Sequence, residues 1–303
     1  MNRRPIVHVL GNIHPSAIAL LQREADLLTE ADPFPSACDG IVVRTRKITG
    51  AEIAACPNLK VIGKHGVGVD AIDVAAATAA GIAVESTPGA NAESVADLAV
   101  GFALALIRNV VPITLALRDG RAVEPHLKIG WDLGELPAGI VGYGAVGRAV
   151  GRRLVGGFGT PTIAYSPGRT GSRPDAGIDF APSLAALLGQ SRIVFLHMPL
   201  TSATRGIIDA AALASLPRGS YLVNCARGGI VDEAALAEAL SSGHLAGAAS
   251  DVFAVEPPTA DNPLFREPHF LAMPHLGAST NGGLERVGTE IAQKVLAVIA
   301  ARS

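Results

Sequence analysis

The sequence predicts an α/β protein built from two doubly wound parallel-sheet domains, and three observations carry that expectation. Short β-branched runs, apolar on both faces, recur along the chain; Ala/Leu-rich stretches of helical length separate them; and one run leads through a Gly-rich turn into a helix. A strand that is apolar on both faces belongs in a parallel sheet covered on both sides by its crossover helices. The predicted strands are Ile6–Leu10, Ile41–Arg44, Val61–Lys64, Ala83–Glu85, Gly139–Gly142, Thr162–Tyr165, Ile193–Met198, Tyr221–Asn224, Ala248–Asp251 and Phe270–Met273. The predicted helices between and after them are Ser16–Leu28, Asn91–Arg108, Gly144–Val155, Asp209–Ser215, Glu233–Ser242 and Leu284–Ala301.

Composition narrows the function classes. The 303 residues are 49% hydrophobic and 17% charged, enough apolar surface for two cores and too little charge for disorder. A net charge of -2 and 4% aromatic residues supply neither the electrostatics nor the stacking platforms of a nucleic-acid binder. The apolar run Ile6–Leu10 is too short for a signal peptide and Val95–Ile107 too short to span a bilayer, so no membrane partner and a cytoplasmic location are expected. Three scattered cysteines form neither a disulfide framework nor a zinc site.

The chain separates into two βα blocks. Residues 1–90 carry no nucleotide fingerprint. Residues 91–280 do, and residues 281–303 are expected to return to the first block, leaving a cleft between two domains. The fingerprint is Gly142-x-Gly144-x-x-Gly147, after a predicted strand and opening a predicted helix. Gly142 permits the tight turn, Gly144 lets pyrophosphate approach the backbone, Gly147 allows close helix–strand packing, and the helix N-terminus attracts the anion. Tyr143, Ala145 and Val146 complete the cofactor turn. The second strand of the block ends at Ser166, where NAD-selective folds place an acid, and Arg169 and Arg173 follow. A hydroxyl and guanidinium groups suit a 2′-phosphate that a carboxylate would repel, which favours NADP over NAD.

Three later segments place Arg227, Glu256 and His275 just after predicted strands, the edge where open α/β sheets bind ligands. With the fingerprint, with Lys64-His-Gly-Val-Gly-Val-Asp70, Ser86-Thr-Pro-Gly-Ala-Asn-Ala-Glu-Ser94 and His197-Met-Pro-Leu-Thr201, they make the sequence closely similar to the D-isomer-specific 2-hydroxyacid dehydrogenase family from about Ile41 to Thr280. The resemblance implies a Rossmann nucleotide domain, a flavodoxin-like substrate domain and a homodimer. It also implies hydride transfer between NADPH or NADH and C2 of a small 2-keto or 2-hydroxy acid.

By that resemblance His275 is the general acid and base, Glu256 stabilises its imidazolium, and Arg227 grips the substrate carboxylate and polarises the carbonyl. Val67 and Gly68 would offer backbone N–H groups to the substrate, with Arg44 and His65 as further contacts. Pro199, Ala226 and Asp251 would complete the cofactor site, Asp251 holding the nicotinamide carboxamide. No metal is needed, because arginine and histidine supply the electrophilic assistance. The other histidines fall in predicted strands (His8, His197) or turns and carry no expected role.

One stretch departs from the family pattern. From Trp131 the chain runs almost straight into the fingerprint strand, which is therefore expected to be shortened unless Trp131 is not the equivalent residue. A glyoxylate/hydroxypyruvate reductase is the leading expectation. The alternatives are 3-phosphoglycerate dehydrogenase, whose phosphate Arg44, Arg46, Lys47 and Lys64 could receive, and an NAD(H)-sensing corepressor-like binding protein.

Overall fold

The computed structural model describes residues 3–169 and 175–302. Contacts divide the chain into two compact units, Met1–Asn91 with Ala278–Ser303, and Ala92–Gly277. Parallel sheets flanked by helices form both.

In the first unit β1 (Ile6–Leu10), α1 (Pro15–Glu24), β2 (Asp26–Leu28), β3 (Gly40–Val43), α2 (Gly50–Ala54), β4 (Val61–Lys64), α3 (Val74–Ala79) and β5 (Ala83–Glu85) follow one another. They form a parallel sheet of order β2-β1-β3-β4-β5. The predicted helix Ser16–Leu28 is cut short: it ends at Glu24 and its tail becomes the edge strand β2. Ala25 is extended and Asp26 N–H donates to Pro5 O, so pairing with β1 overrides the helix propensity of Leu27 and Leu28. The short helix α2 was not expected from periodicity, but Thr49 and Glu52 close a capping box around its first turn. The C-terminal helix, Asn281–Ala301, packs Ile291, Val295 and Ile299 onto this sheet. Gly63 makes room for it: a Cβ there would lie 2.5 Å from Val295 Cγ2.

The second unit opens with α4 (Ala92–Ile107) and α5 (Val110–Arg118), joined at Asn109, which is left-handed at φ 53°. Then come β6 (Ala138–Val141), α6 (Ala145–Phe158), β7 (Thr162–Tyr165), β8 (Asp179–Phe180), α7 (Leu184–Leu188), β9 (Ile193–Leu196), α8 (Ala210–Ala214), β10 (Ser220–Asn224), α9 (Glu233–Ser241), β11 (Leu245–Ser250) and β12 (Phe270–Ala272). The seven-stranded parallel sheet runs β12-β11-β10-β9-β6-β7-β8. Its direction reverses at β6, the switch point where ligands bind in such sheets. Strand β6 pairs along all of Ala138–Val141 with both β7 and β9, so the short approach from Trp131 has not shortened it relative to them. That approach is instead compressed into a 3₁₀ turn, Leu133–Glu135, whose Glu135 carboxylate accepts the Asp132 N–H at 3.0 Å. Apolar strands buried on both faces, such as β9 with every residue 0% exposed, form the middle layer.

Among the described residues no single helix is long and apolar enough to cross a membrane; α4 and α5 pass that test only as a pair bent by 61°, and α4 is largely buried in the core of its own unit.

Candidate active site

Six of the seven strands of the second sheet end level with one another. Tyr165 is paired with Val141, Val141 with Leu196, Leu196 with Asn224, Asn224 with Ser250, and Ser250 with Ala272. Whatever follows each strand therefore emerges along one edge.

After β6 comes the Gly-rich turn. Gly142 has φ +96°, and a Cβ on it would lie 2.6 Å from the His197 carbonyl carbon and the Met198 nitrogen. A Cβ on Gly147 would lie 2.2 Å from Gly142 O, so α6 can start this close to β6 only with glycine at both positions. Gly144 is different: a Cβ there meets nothing within 4 Å, and as the residue capping α6 it provides no side-chain hydrogen bond. Ala145 beside it is exposed and Val146 half-buried. The turn thus presents an uncapped helix N-terminus behind a bare backbone, the environment a pyrophosphate requires. Tyr143 is buried, edge-on to Phe180 with centroids 5.2 Å apart.

After β7, Ser166 is half-buried, and Arg169 lies over the Phe180 ring (5.3 Å) with its guanidinium 3.3 Å from Asp175. Arg173 lies outside the described residues. His197 follows β9 rather than lying within it. Its ring nitrogens are buried without hydrogen-bond partners among the described residues, and burial pushes the imidazole down to about 3, so it is neutral. Pro199 is exposed two residues on, and Ala226 is buried after β10.

Asn224, the last residue of β10, shapes the next loop: its Oδ1 accepts the Ala226 N–H (3.0 Å) and its Nδ2 donates to Arg227 O (3.2 Å). Arg227 follows, half-buried, with one guanidinium nitrogen donating to Ala226 O at 2.7 Å.

After β11, Asp251 is 3% exposed, and both its carboxylate oxygens are engaged by the loop after β12. Oδ1 accepts the Leu276 N–H and Oδ2 the Gly277 N–H, each at 2.8 Å, while Asp251 O accepts the His275 N–H at 2.7 Å. Burial raises the Asp251 pKa, against those two N–H bonds. The three bonds hold His275 at φ +57°, a conformation side-chain-bearing residues seldom adopt without such support. His275 Nδ1 then lies 2.7 Å from Glu256 Oε2, and Glu256 Oε1 accepts the Phe253 N–H at 3.0 Å. Burial works against the Glu256 carboxylate, but the bonds from His275 and Phe253 and the nearby Arg227 charge prevail and hold its pKa below the ordinary 4.5. With Nδ1 facing the carboxylate and the His275 side chain 51% exposed, Nε2 is the nitrogen left to carry a proton outward.

In the first unit the turn after β4 is pinned by Thr87, whose N–H and hydroxyl both donate to Gly66 O. Among the described residues the Val67 and Gly68 N–H groups have no acceptor, and Val67 is 40% exposed. Arg44 donates to Asn12 O (3.0 Å) and Ser279 Oγ (3.2 Å). His65 turns inward: it is 6% exposed, and its Nε2 is 3.6 Å from where a Gly288 Cβ would stand on the C-terminal helix. Burial, with Arg44 and Lys64 nearby, lowers its pKa to about 4, so it packs as a neutral ring.

Residues 100–277 match the model of the D-isomer specific 2-hydroxyacid dehydrogenase NAD-binding domain. The hydroxypyruvate reductase of Thermotoga maritima is 37% identical over 95% of this chain and 96% of its own length. This chain belongs to the D-isomer specific 2-hydroxyacid dehydrogenase family. The D-3-phosphoglycerate dehydrogenase of Mycobacterium bovis is also 37% identical, over 98% of this chain, which spans 57% of that protein. Among solved structures, the NADPH-dependent glyoxylate/hydroxypyruvate reductase of Sinorhizobium meliloti, in complex with NADP and malonate, superposes with a TM-score of 0.82 at 29% identity. That match covers 96% of this chain and 92% of the other.

The protein is accordingly an NAD(P)-dependent oxidoreductase, and the open, uncapped turn at Gly144 fits that cofactor. Two features of this dehydrogenase were not foreseen from its sequence. One is the double N–H clasp by Asp251; the aspartate was singled out for a different role. The other is the neutral His197, whose ring nitrogens are buried. The HMPLT motif marked it, yet burial is a tertiary property.

The depressed pKa of Glu256 has a defined pH consequence. Its carboxylate stays charged until pH falls through a value below 4.5, so the Glu256–His275 pair persists through mildly acidic pH and is lost only beneath it. Glu256→Gln should lower kcat by on the order of 100-fold and remove that acid limb from the profile of kcat against pH. A variant that kept the same limb would show that another group titrates there.

Proposed function

We propose that this dehydrogenase reduces glyoxylate, hydroxypyruvate or a similar unphosphorylated small 2-keto acid to the D-2-hydroxy acid, with NADPH favoured as hydride donor. The observation that carries the reading is the 2.7 Å contact between His275 Nδ1 and Glu256, with Nε2 facing outward on the sheet edge that also bears Arg227 and the Gly142–Gly147 turn. The nicotinamide cofactor, when bound, supplies the hydride. Arg227 binds the substrate carboxylate as a planar fork and draws charge from the carbonyl. His275 Nε2 gives its proton to the C2 oxygen as alkoxide character develops, and Glu256 steadies the imidazolium before and the neutral ring after. A positioned acid of this kind accounts for roughly 10²–10⁴ in rate. In the first unit, Val67 and Gly68 offer two backbone donors suited to a carboxylate.

The choice of an unphosphorylated acid rests on what two of the candidate phosphate-binding cations, Arg46 and Lys64, already do. Arg46 is 2.6 Å from Glu52 and lies over the Phe34 ring at 4.5 Å, and Lys64 Nζ donates to Arg44 O. Cations committed in this way are poorly placed to receive a phosphate. Steady-state reduction of glyoxylate, hydroxypyruvate and 3-phosphohydroxypyruvate, each with NADPH and NADH, tests the proposal. Turnover should favour one of the first two acids and collapse in His275→Ala while cofactor binding persists. Preference for the phosphorylated acid would make the protein a phosphoglycerate dehydrogenase. Absence of turnover with intact NAD(H) binding would favour a cofactor-sensing role.

The preference for NADPH is supported by Ser166 at the end of β7 and by Arg169 beside it. Asp175 competes for the same guanidinium. Arg169→Ala should raise KM for NADPH by about tenfold with little change for NADH, and Asp175→Asn should lower KM for NADPH. Equal effects on both cofactors would remove Arg169 from the 2′-phosphate site.

A homodimer belongs to the same reading. The apolar side of α4 is used in its own core, with Ala99 and Ala103 0% exposed. In contrast α5 and the segment after it leave Leu115 48%, Leu117 65%, Ile129 82% and Trp131 44% exposed. Apolar exposure of this extent marks an association surface, and a second copy of the chain is the occupant proposed here. Light scattering should give twice the chain mass for the wild type and a monomer for Leu117→Asp; a monomeric wild type would refute the assignment. The cysteines are unpaired thiols, Cys38 and Cys56 both buried, which fits a reducing cytoplasmic compartment.

A further inference from the structure

Glu233 has a carboxylate that its own helix does not need. Asp232 already caps α9, its Oδ1 accepting the Ala234 and Ala235 N–H groups at 3.0 Å. Among the described residues no cation pairs with Glu233. Its two oxygens instead reach across to the segment that carries Glu256. Oε1 accepts the Ala254 N–H at 2.6 Å and Oε2 accepts from Asn262 Nδ2 at 2.7 Å, so one carboxylate closes both ends of the segment 254–262. Asn262 is itself held, because its Oδ1 accepts the Leu264 N–H at 3.0 Å. Charge-assisted bonds of this kind are about twice as strong as neutral ones.

The clasp acts where the chemistry is anchored. Ala254 adjoins Phe253, whose N–H donates to Glu256 Oε1 while the other oxygen meets His275. Phe253 is fixed from below by Phe265 and Phe270, with ring centroids 5.6 Å and 6.3 Å away. The same peptide touches the Arg227 turn: a Cβ on Gly228 would fall 1.9 Å from the Phe253 carbonyl carbon and oxygen. The peptide between Phe253 and Ala254 is thus the common support of the Arg227 turn and the Glu256–His275 pair.

We infer that Glu233 is a positioning residue for hydride transfer, fastening the 254–262 segment so that Glu256 stays aligned with His275. This rests on the acid–base role proposed for that pair. Glu233 touches neither partner; it acts through the Ala254 N–H and Asn262. The charged groups around Glu256 are His275, Arg227 and Asp251.

The test uses the full chain, with Glu233→Ala, Glu233→Gln and Asn262→Ala. An amide at 233 turns a donor toward one of the two N–H partners, so it opens one end of the clasp; Asn262→Ala opens the other end without touching Glu233. Each variant should lose up to about 100-fold in kcat, as for a small misplacement of a reacting group. The acid limb of the kcat–pH profile should move upward as Glu256 loses its Phe253 N–H bond. The dissociation constant for NADPH should not change. The downfield Nδ1–H proton resonance of His275, read by NMR, should shift or broaden in the variants whether or not a substrate has been found. Wild-type kcat, pH profile and resonance in Glu233→Ala and Asn262→Ala would overturn the inference. So would a fall in kcat and thermal stability with the pH limb and the resonance unmoved, which is a purely structural effect. An altered resonance in a protein that turns over none of the acids would leave the clasp standing and reject the catalytic reading instead.

Discussion

Parallel pairing in register is the constraint on which the second unit depends. Six strands end on one line through Tyr165, Val141, Leu196, Asn224, Ser250 and Ala272. A slip of one residue in any of them would turn an alternate set of side chains to the wrong face, and it would also carry the loop after that strand out of the line. The cofactor turn, the neutral His197, the Arg227 loop, Asp251 and the His275 loop are all neighbours because their strands stop together. The reversal of strand order at β6 then leaves Gly142 against the backbone of His197 and Met198, so tightly that the turn accepts no side chain there.

On that edge three carboxylates of the same charge do three different things, and their surroundings decide which. Asp251 is nearly sealed from solvent and accepts two backbone N–H groups, so it acts on the path of the chain and holds His275 left-handed. Glu256, with its side chain 35% exposed, faces an imidazole and an N–H, so it orients a ring that can titrate. Glu233 meets an amide N–H and an asparagine side chain and holds a segment of loop. Such bonds matter because hydrogen-bonded loops after strands have little apolar burial of their own to order them. The Phe253, Phe265 and Phe270 rings supply a hydrophobic anchor beneath this one.

Much of this was legible in the chain. The strands of the core are short apolar runs whose period survives without any partner, and most ends agree to within a residue or two. The fingerprint glycines were recognisable because turn, close approach and helix packing each exclude a side chain at a fixed spacing. Sequence and structure diverge where tertiary context outweighed local preference. Asp26–Leu28 reads as the tail of a helix and becomes a strand because β1 offers it an edge. Helix α5 contains Val110, Val111 and Pro112, which argue against a helix, yet Pro112 stands in the first turn where its missing N–H costs nothing. His65 reads as a substrate neighbour by position, and its ring is buried against the C-terminal helix.

The sequence by itself determined the fold class and the Gly142–Gly147 turn, because these depend on residue type and short spacing; it singled out Arg227, Glu256 and His275 by their place after predicted strands and by resemblance to the family. Only the tertiary structure decided which atoms meet. That His275 offers Nε2, that Asp251 is engaged by the loop it supports, and that Glu233 spans both ends of the Glu256 segment all arise from contacts between residues about 20 or more apart in sequence. Local propensity carries no information about such contacts; they follow from the register of the sheet, which brings distant loops to one edge.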